Sequence, residues 1–197
     1  MMKKHGSSTL FISISLILLS ICVFIGCLFL YFHSNDAAAK NATIIFSSSD
    51  DSSLLMMDSS MPVTDAIGKQ LSFTPNQTKH GYSEFSISSN MEGMDEVRYE
   101  IYAKNIGVST EIATNYVKLY LTNADTDQPV EGFDQVVPTY RDLKVAVSNP
   151  AGKKIYSGVL KKGEIQNFRL RMWLADTYPI TEEVRSFGIL LYVKVIN

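Results

Sequence analysis

The chain has 197 residues, of which 46% are hydrophobic and 19% are charged, and its formal net charge is −2 at pH 7. That length suits one globular domain with a short appendage. Nucleic-acid-binding domains usually carry a clear excess of positive charge, which this chain lacks. We therefore expect no nucleic acid among its partners.

A long apolar run, LFISISLILLSICVFIGCLFLYF, occupies residues 10–32 and contains no charged side chain. As a helix it would extend about 34 Å, enough to cross the ~30 Å hydrocarbon core of a bilayer. Lys3 and Lys4 precede the run, and the next Lys or Arg is Lys40. Under the positive-inside rule this asymmetry predicts a signal anchor whose N-terminus lies in the cytoplasm.

This anchor defines the predicted organisation of the chain. A cytoplasmic N-terminus (1–9), a transmembrane helix in the lipid bilayer (10–32) and a tether (33–41) precede one extracellular domain (42–197). The alternative is a secreted protein, because Ala37 and Ala39 form a small-x-small site at which a signal peptide would be cleaved after Ala39. Both cysteines lie inside the apolar run, so the domain has no disulfide bond and depends on a packed core.

After the tether, segments with alternating apolar and polar residues follow one another, which is typical of β-strands. Residues 47–58 are interpreted as a polar loop, PAGKK (150–154) as a turn, and KKGE (161–164) as a hairpin loop. Regular helices are not expected; the only candidate, 110–118, is weak. The pattern predicts an all-β fold, an antiparallel immunoglobulin-like β-sandwich. The predicted strands are 42–46, 84–90, 97–104, 115–123, 142–149, 155–160, 167–174 and 187–197.

Residues that carry catalytic chemistry are scarce in the domain. His80 is its only histidine, and it is interpreted as a solvated loop residue. One histidine and no cysteine supply neither a zinc site nor a thiol nucleophile, and no G-x-S-x-G or phosphate-binding glycine motif occurs. We therefore expect no enzyme and no cofactor.

The acidic segment NADTDQPVEGFD has the oxygen spacing of a calcium-binding loop, with Asn123, Asp125, Asp127 and Asp134 as candidate ligands. Gln128, however, stands at the sixth position, where such loops need glycine, and the flanking residues resemble strands rather than helices. The alternative is a polar connection in which Asp and Asn stabilise turns.

The segment NFRLRMWL places four apolar residues on one face of a strand and Arg169, Arg171 and Trp173 on the other. The apolar face is expected to contact the core. The second face is either the exposed outside of a sheet, where a guanidinium can stack on the indole, or a ligand-binding surface. These three residues are the candidate ligand-binding site.

Several phrases resemble a poorly characterised family of single-pass, exported surface proteins from Firmicutes: MPVTDAIGKQL, FSISSN, VRYEIYAKN, YVKLYLTN and LKKGEIQNFRLRMWLADTY. Its members carry a proline-x-x-aspartate-x-x-glycine segment, represented here by Pro62, Asp65 and Gly68. The resemblance covers most of residues 42–197 and implies a cell-surface location and an immunoglobulin-like sandwich. It implies no catalytic residues. A looser likeness is to matrix-fibre proteins of biofilms.

These observations lead to a hypothesis with two alternatives. The leading hypothesis is a membrane-anchored cell-surface protein of non-enzymatic binding or adhesion type, whose partner is a protein, a cell-wall polymer or a carbohydrate. The first alternative is a self-assembling matrix or fibre subunit in which ATIIF (42–46) adds as a strand to a neighbour. An extracellular hydrolase is the third possibility, because carboxylates from distant positions can meet in space.

Overall fold

The computed structural model of the chain describes residues 41–48, 53–73, 79–146 and 149–196. The predicted cytoplasmic segment and transmembrane helix lie outside the described residues, as does the tether up to Lys40. Within the described ranges, no helix is both long and apolar enough to cross a membrane.

The described residues form two antiparallel sheets with almost no helix, which confirms the all-β prediction. The strands are β1 (Asn41–Ser48), β2 (Leu54–Asp58), β3 (Gly81–Glu92), β4 (Glu96–Asn105), β5 (Val117–Asn123), β6 (Lys144–Ala146), β7 (Asn149–Lys161), β8 (Ile165–Leu174) and β9 (Ser186–Ile196). Sheet A has the strand order β1–β3–β8–β5, and sheet B has the order β2–β9–β4–β7–β6. A four-residue helical turn, α1 (Asp65–Gly68), and one 3-10 turn (Tyr140–Asp142) are the helical elements of these ranges.

The core lies between the two sheets and is built from alternate residues of each strand. Phe168 of sheet A stacks on Phe85 of the same sheet, with ring centroids 5.5 Å apart, and its ring contacts that of Tyr156 of sheet B at a centroid distance of 5.3 Å. The Tyr99 hydroxyl donates a hydrogen bond to Gln166 across the same interface. The predicted inward face of β8 is therefore the core face.

Two segments that were predicted to be turns within a sheet differ from the predictions. KKGE leads from β7 in sheet B to β8 in sheet A, so it is a tight turn between sheets and not a hairpin loop. Gly163 has a φ of 77° in this turn, a conformation that glycine adopts without steric cost. PAGKK, predicted as a turn, lies within β7.

Two further elements were missed or misplaced. Residues 54–58 were assigned to a polar loop but form β2, which pairs with β9 from Leu54–Leu190 to Asp58–Ser186. The weak helix prediction for 110–118 is wrong, since Val117 and Lys118 already belong to β5. The C-terminal strand predicted at 187–197 corresponds to β9, which lies between β2 and β4.

Candidate functional site

Strand β8 places Arg169, Arg171 and Trp173 on the face of sheet A that points away from sheet B, as the alternation predicted. Arg169 pairs with Glu84 on one side, and Arg171 pairs with Tyr120 on the other. The ring of Trp173 meets the ring of Tyr120 edge-on, with centroids 6.5 Å apart. The three candidate residues thus share one surface of the sheet.

This surface is covered where Trp173 lies, because the segment 61–73, here called the strap, runs over it. The Val63 amide donates to the Leu174 carbonyl at 2.9 Å. Gly68 of α1 lies directly on the indole of Trp173, so closely that an added Cβ would overlap the ring. Trp173 is fully buried. The expectation that its indole lies on an exposed face is therefore wrong, and the ring is not accessible to a ligand.

The strap also covers Arg171, a residue that is 4% exposed and whose guanidinium makes three hydrogen bonds. It donates to the carbonyl oxygen of Leu71 in the strap at 2.7 Å and to the hydroxyl of Thr122 at 3.3 Å. Its third bond, at 3.0 Å, goes to a carboxylate oxygen of Asp127. All of its polar contacts are within the domain, so Arg171 has a structural role.

Arg169 extends this network toward solvent. Its Nε donates to Glu84 at 2.7 Å and its Nη1 donates at 2.8 Å to the same Asp127 oxygen that Arg171 contacts. The side chain of Arg169 is one-fifth exposed, that of Glu84 is 41% exposed, and Asp127 is half exposed. Two arginines and two carboxylates therefore form a network, here called the arginine network, that ends at the protein surface.

The acidic segment 123–134 forms turns and ion pairs. Asn123 Oδ1 accepts hydrogen bonds from the amides of Asp125 and Thr126, and Asp125 accepts from the Asn167 side chain. Asp127, with a φ of 56°, has an oxygen occupied by both arginines of the network.

Asp134, the last candidate calcium ligand, is exposed and accepts from Gln135. Across the described ranges, which include all of 123–134, no three or more His, Cys, Asp or Glu side chains are grouped so as to hold a metal ion. The hydrogen bonds within this segment are those expected of a polar connection in which Asp and Asn stabilise turns.

The arginine network also determines how stability should depend on pH. A hydrogen bond from the Tyr82 hydroxyl lowers the pKa of Glu84 below its ordinary value of 4.5, and the hydrogen bond and positive charge of Arg169 lower it further. For Asp127, burial raises the pKa, but hydrogen bonds from Arg171 and Arg169 outweigh burial and the pKa is lowered. Both carboxylates therefore bind protons more weakly in the folded than in the unfolded chain.

We expect the contribution of these two carboxylates to the free energy of unfolding to be constant near neutral pH and to fall as the pH drops below about 4, where they become protonated. The sign follows from the lowered pKa values, because the unfolded chain takes up protons first. Urea unfolding at a series of pH values measures this dependence. A free energy that rises on acidification would contradict the network.

Beside Arg169 the outer face of sheet A is not covered, and a shallow groove of about 480 Å³ opens there. Its floor includes a row of cross-strand partners, Ser47 on β1, Ser86 on β3 and Asn167 on β8. Arg169 and Glu84 form the next row, and the turn that follows β5 forms one wall with Asp125. Of the three candidate ligand-binding residues, Arg169 is therefore the one that lies at an accessible site.

The lining of this groove is rich in hydrogen-bonding groups. Hydroxyl and amide groups both donate and accept, the guanidinium donates, and the carboxylates accept. Next to the serine row, Ile45 and Ile165 are 49% and 62% exposed and flank Ser88 in the following row. A ligand in the groove would therefore meet polar groups along its length and apolar side chains at one end.

A second cleft, of about 360 Å³, lies between the loop that contains Glu131 and the β6–β7 pair. Lys154 lines it, but its Nζ is 3.0 Å from Glu100 and is already paired. Burial raises the pKa of Glu100, and hydrogen bonds from Tyr102 and Lys154 outweigh this, so that the pKa is lowered. This cleft is the weaker candidate because its lining contains none of the site residues predicted from sequence, whereas the groove contains Arg169.

His80 does not lie in solvent, contrary to its interpretation from sequence. Its side chain is 8% exposed, and burial lowers its pKa below the ordinary value of 6.5. Nδ1 has no hydrogen-bond partner among the described residues. It adjoins Gly81 at the start of β3 and is not part of the groove.

No family model matches the chain, and no curated protein and no solved structure matches it either. The resemblance to exported surface proteins of Firmicutes therefore stays a prediction. Function has to be argued from the site itself.

Proposed function

We propose that the protein is a membrane-anchored cell-surface protein that binds its partner without catalysis, using the groove beside Arg169. The observation that supports this most directly is a charged side chain held rigidly at the rim of an open polar groove. Arg169 is fixed by Glu84 and Asp127, and binding groups that are already positioned lose little entropy when a ligand arrives.

As part of the same proposal, the domain is an immunoglobulin-like sandwich carried outside the cell by residues 10–32. The two antiparallel sheets, and turns such as KKGE that cross between them, support this class. The charge asymmetry around the apolar run supports the orientation.

A carbohydrate or cell-wall polymer is the partner that best suits the groove. Each sugar hydroxyl both donates and accepts a hydrogen bond, and Ser47, Ser86 and Asn167 offer both functions in one row. The exposed Ile45 and Ile165 next to this row match the apolar C–H face of a sugar ring. The flat surface of a protein partner would form hydrogen bonds with fewer of these donor and acceptor groups.

The test uses intact cells that produce the full-length chain and a set of fluorescent polysaccharides and cell-wall fragments. We expect at least one of them to bind, and we expect Arg169→Ala to weaken its affinity roughly 10- to 100-fold, the effect of losing a hydrogen bond to a charged group. Asn167→Ala should weaken binding less, because it removes a neutral group. External protease should abolish binding if the domain lies outside the cell.

Arg141→Ala is the matched control, since Arg141 is two-thirds exposed and lies away from the groove, paired with Asp142. Its affinity should equal that of the unchanged chain. Equal binding by the Arg169→Ala and Arg141→Ala variants would argue against the groove. A domain that stays intact when whole cells are treated with protease would argue against the cell-surface location.

A further inference from the structure

Strand β1 is an edge of sheet A, and within the described part of the chain it has none of the features with which proteins protect an edge. It pairs with β3 in unbroken register from Asn41–Glu92 to Ser48–Phe85. Its sequence, NATIIFSS, contains no charge, no proline and no bulge. A long, regular, uncharged edge strand is a template for pairing with another strand.

The opposite edge of sheet A is closed. Along β5, the Leu119 amide donates to the Pro138 carbonyl at 3.2 Å, and the Val130 amide donates to the Leu121 carbonyl at 3.1 Å. An isolated bridge between Lys118 and Thr139 adds to this cover. The loop that follows β5 thus returns and occupies the hydrogen-bonding groups of its edge.

The two edge strands of sheet B, β2 and β6, are shorter than β1. β6 has three residues and a register irregularity at Val145. β2 has five residues and ends at the charged Asp58. Among the strands that the structure describes, β1 is therefore the longest edge without a cover or a charge.

We propose that a second copy of this chain pairs with β1 in antiparallel orientation, about a two-fold axis at Ile45. Side chains alternate between the two faces of a strand, so paired residues must lie on the same face if both cores are to stay buried. A dyad at Ile45 satisfies this condition. It pairs Ile45 with its own copy and Thr43 with Ser47 on the outer face, and Ile44 with Phe46 on the inner face.

Pairing with a second copy is favoured over pairing with another protein because the side chains of β1 complement those of a second β1 strand. Ile45, half exposed in the single chain, would be covered by its own copy. Ile44 opposite Phe46 is a β-branched–aromatic pair, one of the combinations that stabilise sheets. With no charge on either strand, antiparallel approach brings no like charges together.

A two-fold contact uses the same patch on both chains and closes on itself, so it produces a dimer and not a fibre. The two four-stranded sheets become one sheet of eight strands with both outer faces on the same side. Since Ser47 lines the groove beside Arg169 and lies next to the axis, Thr43 of the partner subunit would border each groove. The inference itself does not depend on what the grooves bind.

The test is the molar mass of the full-length chain in detergent micelles, measured by light scattering up to about 100 μM, where a micromolar Kd leaves most chains paired. We expect a dimer that dissociates on dilution. Ile45→Lys should convert it to a monomer, because pairing would bring two ammonium groups together at the axis. Ile165→Lys, at a somewhat more exposed site on β8 of the same face, should leave the dimer unchanged.

A second measurement links the contact to Ile45 directly. In a chain whose Cys22 and Cys27 are replaced by serine, Ile45→Cys should form a covalent dimer on oxidation, and Ile165→Cys should not. The emission of the buried Trp173 reports whether each variant is folded, since it is the only tryptophan. A monomer at all concentrations, an Ile45→Lys dimer, monomers in both lysine variants, or assemblies larger than a dimer would each overturn the proposal.

Discussion

Replacing Trp173 with alanine is expected to lower the free energy of unfolding by about 3–5 kcal/mol, the largest effect of any substitution considered for this chain. The indole is fully buried between β8 and the strap, and it contacts both Tyr120 and Gly68. Removing it leaves a cavity that the short helical turn α1 cannot fill without moving. Urea unfolding followed by circular dichroism measures the loss.

Ile165→Ala is the control for this prediction, because Ile165 lies on the same strand but is mostly exposed. It should change stability by about 1 kcal/mol or less. In the unchanged chain the single tryptophan should also emit at short wavelength and resist soluble quenchers. A Trp173→Ala variant as stable as the Ile165→Ala variant would show that the strap does not cover the ring in solution.

Asp127→Asn is expected to cost about 2–3 kcal/mol, less than the roughly 3–5 kcal/mol typical of breaking a fully buried ion pair. Asp127 accepts from both Arg169 and Arg171, and Arg171 is 4% exposed and forms a salt bridge with no other carboxylate among the described residues. The half-exposed position of Asp127 lets water replace part of the lost interaction, which limits the cost. Asparagine also tolerates the positive φ of this position, so the substitution tests charge rather than backbone strain.

The matched control is Asp134→Asn, which neutralises an exposed carboxylate in the same loop region that bonds only to Gln135 and to local backbone. Its unfolding midpoint should not change. On acidification, the free energy of unfolding of the Asp127→Asn variant should also fall less than that of the unchanged chain. Equal stability of the two variants would contradict a structural role for the arginine network.

The strand pattern was predictable from sequence wherever one face of a strand is buried and the other is polar. In β8 the alternation correctly separated Phe168 and its apolar neighbours from Arg169, Arg171 and Trp173. The cover on the second face was not predictable, because the strap comes from residues 61–73, far away in the chain. Its contact with β8 leaves no periodic signal in either segment.

The errors in the fold have similar causes. β2 is short and follows a run of serine and aspartate, so local polarity concealed a strand that is stabilised by pairing with β9. KKGE has the composition of a hairpin turn, but composition does not determine whether the next strand joins the same sheet. PAGKK contains turn-forming residues, yet β7 continues through it.

The candidate groove was only partly predictable. Arg169 was identified from the spacing within one strand, but Ser47, Ser86 and Glu84 reach the site through the register of β1 and β3. Serine and glutamate at such spacing occur on many exposed strands. Only the strand order brings them beside Arg169.

The close contact between Gly68 and Trp173 links two positions that are far apart in the sequence. Any side chain at position 68 needs space that the indole of Trp173 now fills. Inherited changes at positions 68 and 173 should therefore occur together. A descendant of this chain with a smaller residue in place of the tryptophan could accept alanine or serine in place of the glycine. Joint variation of the pair, rather than invariance of either residue, would then mark proteins that share this strap.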